Sequence, residues 1–246
     1  MNSTRLPGKA MLELKGKPVI HHVIERVRAS KHMNALVVAT TRSHDDDRLA
    51  GYLEAHEPVK VFRGPEDDVL ERFHLCSSSH PCDLIVRITA DDPLKDASII
   101  DEAIERMLDD PSLDYCSNTL KPTYPEGLDI EVFKSSALDR AYHGATLMSE
   151  REHVTPYIWK NSNVFKLYNL EHYEDLSAWR WTLDTDRDLA FITAIYEHFY
   201  EGSSLFSYKM IIDFVKRNPR LAEINSDTRR NDGYFRSLER DRREHT

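Results

Sequence analysis

Two adjacent carboxylates follow an apolar run in Asp83-Leu-Ile-Val-Arg-Ile-Thr-Ala-Asp-Asp-Pro-Leu94. Residues 84–88 have the composition of a strand buried on both faces of a parallel sheet. Ala90 is small enough for the backbone to approach a ligand closely, and Pro93 forbids an immediate helix while restraining Asp92 to an extended conformation. Asp91 and Asp92 therefore stand at the carboxyl end of a strand, where open α/β sheets bind their ligands. A second junction of this kind, Trp179-Arg-Trp-Thr-Leu-Asp-Thr-Asp186, lies far downstream. If the two meet at one sheet edge, Asp91 and Asp184 make a site for a hard divalent cation, which takes oxygen ligands and bridges phosphates. A plainer reading stays open, in which Asp91 and Asp92 begin a turn and Asp184 serves to cap a helix.

Three further groups carry chemistry. Arg5 and Lys9 flank a Pro-Gly turn, so an extended loop there presents two cations and free amides to a triphosphate; an unstructured terminus is the alternative. The glycine spacing of a Walker loop is missing. Arg63 and Arg72 flank the third expected strand and its helix, where they reach a nucleotide or form surface ion pairs. Glu150 and His153 lie one helical turn apart, but the order is not His-Glu-x-x-His, which excludes a zinc hydrolase of that type. No Gly-x-Ser-x-Gly elbow occurs, no cysteine sits in a nucleophile context, and the dinucleotide fingerprint Gly-x-Gly-x-x-Gly is absent. Metal-assisted chemistry on a phosphate remains.

The elements that must position these residues are bounded by length and composition. A chain of 246 residues suits one large α/β domain. A net charge of −9 argues against a nucleic-acid partner. Three cysteines without metal-ligand spacing fit a reduced, cytoplasmic protein, and no apolar run approaches the length of a membrane span. Apolar residues recur at helical spacing in 20–27, 49–53, 69–76, 99–107 and 210–215. Short apolar runs at 35–40, 59–62 and 84–88 read as strands, and their alternation with helices implies parallel βαβ units.

Beyond Pro111 the pattern changes. Segments 115–118 and 128–133 suggest an antiparallel excursion, followed by helices at 135–142 and 150–159, with Pro156 kinking or starting the second. Residues 164–169 and 179–183 read as strands. Thr185 and Asp188 approximate a capping box for a helix over 186–200. The charged tail, 229–246, reads as a solvated helix or partly disordered segment.

Taken together, Ser3-Thr-Arg-Leu-Pro-Gly-Lys9, Val37-Val-Ala-Thr-Thr41, Phe62-Arg-Gly-Pro-Glu-Asp-Asp-Val-Leu-Glu-Arg72, Arg87-Ile-Thr-Ala-Asp-Asp-Pro-Leu94, Asp114-Tyr-Cys-Ser-Asn118, Tyr124-Pro-Glu-Gly-Leu-Asp-Ile-Glu-Val-Phe133, Glu150-Arg-Glu-His-Val-Thr-Pro-Tyr157, Arg180-Trp-Thr-Leu-Asp-Thr185 and Arg230-Asn-Asp-Gly-Tyr234 resemble the cytidylyltransferase family of spore coat polysaccharide biosynthesis protein F. That family is similar to the acylneuraminate and ketodeoxyoctonate CMP-sugar synthetases. The resemblance spans nearly the whole chain in the expected order.

It implies a nucleotide-diphosphosugar transferase fold of Rossmann-like, GT-A-like type: a single α/β domain with a mostly parallel sheet between helices and a small antiparallel excursion. It implies transfer of CMP from CTP to a nonulosonic or ulosonic sugar acid, with release of pyrophosphate, for surface polysaccharide synthesis. A different nucleotide or sugar on the same fold, and a non-catalytic relative that binds a nucleotide or partner, are the competing readings. The resemblance assigns Arg5, Lys9 and Asp91 to catalysis, and Asp91 and Asp184 to magnesium. It assigns Ser3, Arg5, Lys9, Thr40, Arg63, Arg72, Thr89 and Ala90 to the nucleotide, and Tyr124, Glu126, Asp129, Glu131, Glu150 and His153 to the sugar. The expected partners are CTP, a small acidic sugar and a second copy in a homodimer formed through the 122–159 region, with no membrane or nucleic acid.

Relatives also begin with an apolar strand ending in Gln-Ala-Arg. Here that strand has no counterpart ahead of Ser3, so the reading frame is expected to start about ten residues upstream, the length of a strand and its lead-in. Its absence is expected to leave two neighbouring strands in the middle of the sheet without partners.

Overall fold

The structure is a computed structural model, and it describes Leu6 and residues 8–244. A short turn, Lys9–Met11, leads into a small hairpin, β1 (Glu13–Leu14) and β2 (Lys17–Pro18), and then α1 (Val19–Arg28). Two strand–helix units follow: β3 (Val37–Thr41) with α2 (Asp47–His56), and β4 (Lys60–Gly64) with α3 (Val69–Ser79). Next come β5 (Leu84–Arg87), α4 (Ala97–Asp109), β6 (Tyr115–Ser117), β7 (Glu131–Lys134), α5 (Ser135–Gly144), α6 (Met148–His153), α7 (Pro156–Lys160) and β8 (Leu167–Asn169). The chain closes with α8 (Asp186–Phe199), α9 (Tyr208–Arg217), α10 (Arg220–Glu223) and α11 (Asp232–Glu244).

Helix starts are set by side chains that satisfy free amides. Asp68 accepts from Glu71 N at 2.8 Å at the head of α3, Asp96 from Ser98 N at 2.9 Å at α4, and Thr185 and Asp188 form the full capping box of α8. Each such cap stabilises its helix by about 1 kcal/mol.

The sheet is mixed rather than mostly parallel. β3 and β4 pair in parallel; β7 enters between β5 and β6 and runs antiparallel to both, while β8 is parallel to β6. The excursion is thus built into the sheet instead of leaving it. The period of two along these strands separates two cores: Cys116 and Val132 face one, with α1, α4, α8 and α9, and Tyr115 and Phe133 face the other, with α3, α5 and α7. Among the described residues no ladder joins β3 to β5. Val37, Val38 and Ala39 and all of β5 are partly exposed, and each of the two strands has one ladder neighbour among the described residues, β4 for β3 and β7 for β5.

Other elements also depart from expectation. Residues 179–183 form a single bridge, Glu126 to Arg180, rather than a strand; Arg180 to Leu183 are all buried, so the apparent alternation has no solvent face. β7 starts three residues late because the Asn118 side chain stands in for a ladder, donating to Leu128 O and accepting from Ile130 N, both at 2.8 Å. Pro156 starts α7 instead of kinking a longer helix. Between α6 and α7, Val154 has φ 72° and ψ −57°, and Thr155 N donates to His153 O at 2.9 Å, which is a γ-turn of the strained hand. The charged tail is a docked helix: Ser237 is buried, donates to Glu152 Oε2 and lies 3.0 Å from His153 Nε2, and Asp241 accepts from Ser149 N. Tyr124, Leu128, Ile130 and Phe133 lie in the core at 3% exposure or less, whereas Tyr157 and Trp159 of the same region stay partly exposed.

Candidate active site

The two junctions meet. Leu183 N donates to Asp91 O at 3.0 Å, which ties the residue before Asp184 to the turn after β5. Lys9 completes the arrangement from the other end of the chain: its Nζ donates to Asp91 Oδ2 and, at 2.7 Å, to Asp184 Oδ1. Gly8, with φ 68°, supplies the left-handed bend that starts the Lys9 turn. Burial opposes the Lys9 ammonium, but Asp91 and Asp184 outweigh it and raise its pKa above the ordinary lysine value. All three side chains keep about a fifth of their surface exposed, so the site is open to a ligand.

Arg180 fixes Asp184. Its guanidinium is 4% exposed and donates to Asp184 Oδ2 at 2.8 Å, Asp188 Oδ1 at 2.9 Å and Glu126 Oε2 at 2.5 Å. Burial works against the charge, yet Glu126, Asp188 and Asp184 together raise the Arg180 pKa. Asp188 is fully buried and accepts as well from Asp184 N, Thr185 N and Asn225 Nδ2. Glu126 accepts from Asn231 N at 2.9 Å, and burial, ahead of the opposing effect of Arg180, pushes its carboxyl up. Gly127 makes this possible. Its φ is 104°, and a Cβ there would lie 2.5 Å from the carbonyl carbon of Trp181, so only glycine lets Glu126 lie against 179–182.

The expected site residues fall into distinct places. Ser3 and Arg5 lie outside the described residues. Thr40 is buried with its hydroxyl on Asp46 at 2.6 Å, and Tyr124 is buried at 3% exposure, its ring 5.2 Å from that of His172. Arg63 clamps the β3–α2 loop through Thr41 O and Ser43 O, both at 2.8 Å. Thr89 spends its hydroxyl on Asp92 at 2.7 Å, and Ala90 is half-exposed beside Asp91. Asp92 is not a partner of Asp91: it pairs with Lys95, itself 1% exposed, at 2.8 Å, and burial raises its pKa despite that cation. Asp129 is held by Arg230, which also donates to Tyr124 O.

Glu131 belongs to a second cluster with Arg87, Tyr115 and Thr155, and burial lowers the pKa of the nearby His153. Glu150 is buried and faces Lys160 at 3.5 Å. Sequence reasoning missed Arg87, Arg180, Asp188 and Asn225 as site residues; Arg180, four residues ahead of Asp184, stood inside a motif already singled out. A separate surface cleft of about 360 Å³, lined by His74, Ser77, Cys82, Ser135 and Asp139, contains none of the groups around Lys9.

A family model described as cytidylyltransferase matches residues 1–211. The chain belongs to the cytidylyltransferase family. It is 34% identical over 232 residues to spore coat polysaccharide biosynthesis protein SpsF of Bacillus subtilis, covering 90% of this chain and 93% of that protein. The solved cytidylyltransferase of Leptospira borgpetersenii is 32% identical, covers 93% of this chain and 94% of its own, and superposes with a TM-score of 0.86. A CMP:2-keto-3-deoxy-manno-octonic acid synthetase complexed with CTP shares the fold, with a TM-score of 0.64 over 80% of this chain and 95% of that one at 19% identity. No helix among the described residues is long and apolar enough to cross a membrane.

Proposed function

We propose that this cytidylyltransferase transfers CMP from CTP to a hydroxyl of a sugar acid and releases pyrophosphate, in the assembly of a surface polysaccharide. The observation that carries the reading is the convergence of Asp91 and Asp184 on Lys9 at the carboxyl end of β5. No three His, Cys, Asp or Glu side chains converge as a metal cage among the described residues. Two carboxylates fit Mg²⁺, which is commonly held by one or two carboxylates together with substrate phosphates and water. Asp91 and Asp184 would hold it, and when bound it would offset charge on the phosphates.

In such a reaction the sugar hydroxyl attacks the α-phosphorus in line with the leaving pyrophosphate, and no protein nucleophile is needed. Lys9 sits where it can pass from the carboxylates to a phosphate oxygen and balance charge that develops there. Arg180 holds one oxygen of Asp184, so that carboxylate stays oriented without substrate.

The test is pyrophosphate release from CTP, UTP, ATP and GTP with a panel of nonulosonic and ulosonic acids, with magnesium and after chelation. CTP with one acid is expected to react, and chelation to stop the reaction. Asp91→Asn and Asp184→Asn are each expected to cut turnover by orders of magnitude while losing only about 1 kcal/mol of stability, the size of one partly exposed ion pair. Release with no acid in the panel counts against the function, and near-normal turnover in either folded variant removes that residue from the metal pair.

A further inference from the structure

Arg72, in the first turn of α3, and Arg87, at the end of β5, flank Phe73; the Arg87 guanidinium lies 6.0 Å from that ring centroid. Both are anchored through Nη1 alone. Arg72 Nη1 donates to the carbonyls of Pro65 at 2.6 Å and Glu66 at 3.3 Å. Arg87 Nη1 donates to Glu131 Oε2 at 2.5 Å, and the other Glu131 oxygen is taken by the hydroxyls of Tyr115, at 2.7 Å, and Thr155.

On both arginines the Nε is buried without a hydrogen-bond partner, and neither Nη2 has one among the described residues. Nε and Nη2 form the edge of a guanidinium that grips a carboxylate side-on. This protein uses that edge elsewhere: Arg180 donates from Nε and Nη2 to the two oxygens of Asp188 at 2.9 and 3.3 Å. A buried donor left unpaired costs free energy, so two of them on neighbouring cations need an occupant.

Among the described residues none supplies one. Asp68 is engaged by Arg151 at 2.5 Å and by the α3 cap, Asp46 by Thr40 and Thr41, and Glu131 is saturated. Burial, and among the charges Arg87, lowers the Arg72 pKa against the pull of Asp46 and Glu66, which an incoming anion would relieve.

We propose that the unpaired Nε–Nη2 edges of Arg72 and Arg87 form an oxyanion subsite that receives the carboxylate of the acceptor, whose entry displaces the side chains that now cover each Nε. The inference rests on the acid-sugar reading above and deepens it. Arg87 lies four residues before Asp91, so their Cα atoms are at most about 13 Å apart. The γ-turn at Val154 serves the same subsite, since it aims Thr155 at Glu131 and thereby fixes Arg87.

The test is isothermal titration of the full chain with 2-keto-3-deoxy-manno-octonic acid and, separately, inorganic phosphate. Arg87→Lys and Arg72→Lys keep the charge and an Nη1-like contact but lack the second edge, so the fold is retained; thermal melts check this. The acid is expected to bind the parent and to bind each variant about 10- to 100-fold more weakly, the loss of one bidentate charged pair, with CTP affinity unchanged. Unchanged acid affinity in both variants overturns the subsite, as does absence of acid binding to the parent. Phosphate binding in place of the acid, or a parallel fall in CTP affinity, assigns these edges to the nucleotide and equally overturns it. Binding is read without turnover, so a failed pyrophosphate screen and a failed subsite are separate results.

Discussion

Replacing Gly127 with alanine tests whether the second acidic junction is clamped onto the excursion. The backbone there has φ 104°, and the new Cβ would stand 2.5 Å from Trp181 C, 2.7 Å from Thr182 N and 2.8 Å from Trp181 O. Holding a non-glycine residue at such a φ costs about 1–3 kcal/mol. Carbon atoms in ordinary contact are about 3.5–4.0 Å apart, so the overlap is near 1 Å and falls on backbone, which cannot rotate away. Overpacking of that kind costs about 1–3 kcal/mol more, for a total of roughly 2–6 kcal/mol. At roughly 2–4 °C per kcal/mol for a chain of this size, the melting temperature should drop by about 5–20 °C. The displacement moves Trp181 and Thr182, two residues from Asp184, so pyrophosphate release should fall in the fraction that stays folded. Calorimetric melts and turnover at 20 °C below the variant's midpoint measure both. A Gly127→Ala protein that melts within about 2 °C of the parent and keeps its rate would refute the close packing of Glu126 on 179–182.

Arg180→Met should destabilise by about 3–5 kcal/mol, because it leaves Glu126 and Asp188 as buried charges without their cation; a melt unchanged from the parent would show that Arg180 is not their main partner. Val154→Gly gives up a buried side chain but relieves the γ-turn, worth about 1–3 kcal/mol. Its cost by urea unfolding should be at least about 1 kcal/mol below that of Val132→Gly, which sits in a regular strand, and equal costs would mean that Val154 is unstrained. His22 is fully buried between Leu14 O, at 2.7 Å, and Ser204 Oγ, at 2.6 Å, and burial lowers its pKa. The unfolded chain therefore takes up the proton first: stability is complete above about pH 6.5 and falls as pH drops below it, by at most about 1.4 kcal/mol per unit for this group. His153 shifts in the same direction, so His22→Gln should flatten only part of the slope between pH 7.5 and 5.5 in urea melts, and an unaltered slope would remove His22 as a contributor.

Periodicity was legible where each face of an element meets one kind of surroundings. The apolar spacing of 20–27 and 99–107 became α1 and α4 because each has one core to face. The alternation in 179–183 misled because Trp181 is buried by packing while Arg180 and Thr182 are buried by charge and backbone contacts, so both sets point inward. The position of Asp91 was legible because the end of β5 is a local feature with a general geometric consequence, whereas Asp184 follows a buried segment that is not a strand. Lys9 and Arg180 show what is not local. Each derives its position from carboxylates that lie 82 and 175 residues away for Lys9 and 54 residues away for the Arg180–Glu126 pair. Spacing within a motif carries no trace of such pairings. The buried Arg180 also explains how the partly exposed Asp184 keeps its orientation: Oδ2 is held by the guanidinium while Oδ1 accepts from Lys9. A buried pairing orients Arg87 as well: Glu131 holds Nη1, and the buried Nε has no hydrogen-bond partner. At Arg87 a carboxylate fully paired within the protein orients a guanidinium that is only half paired, and the unpaired half is where a ligand gains the most by binding.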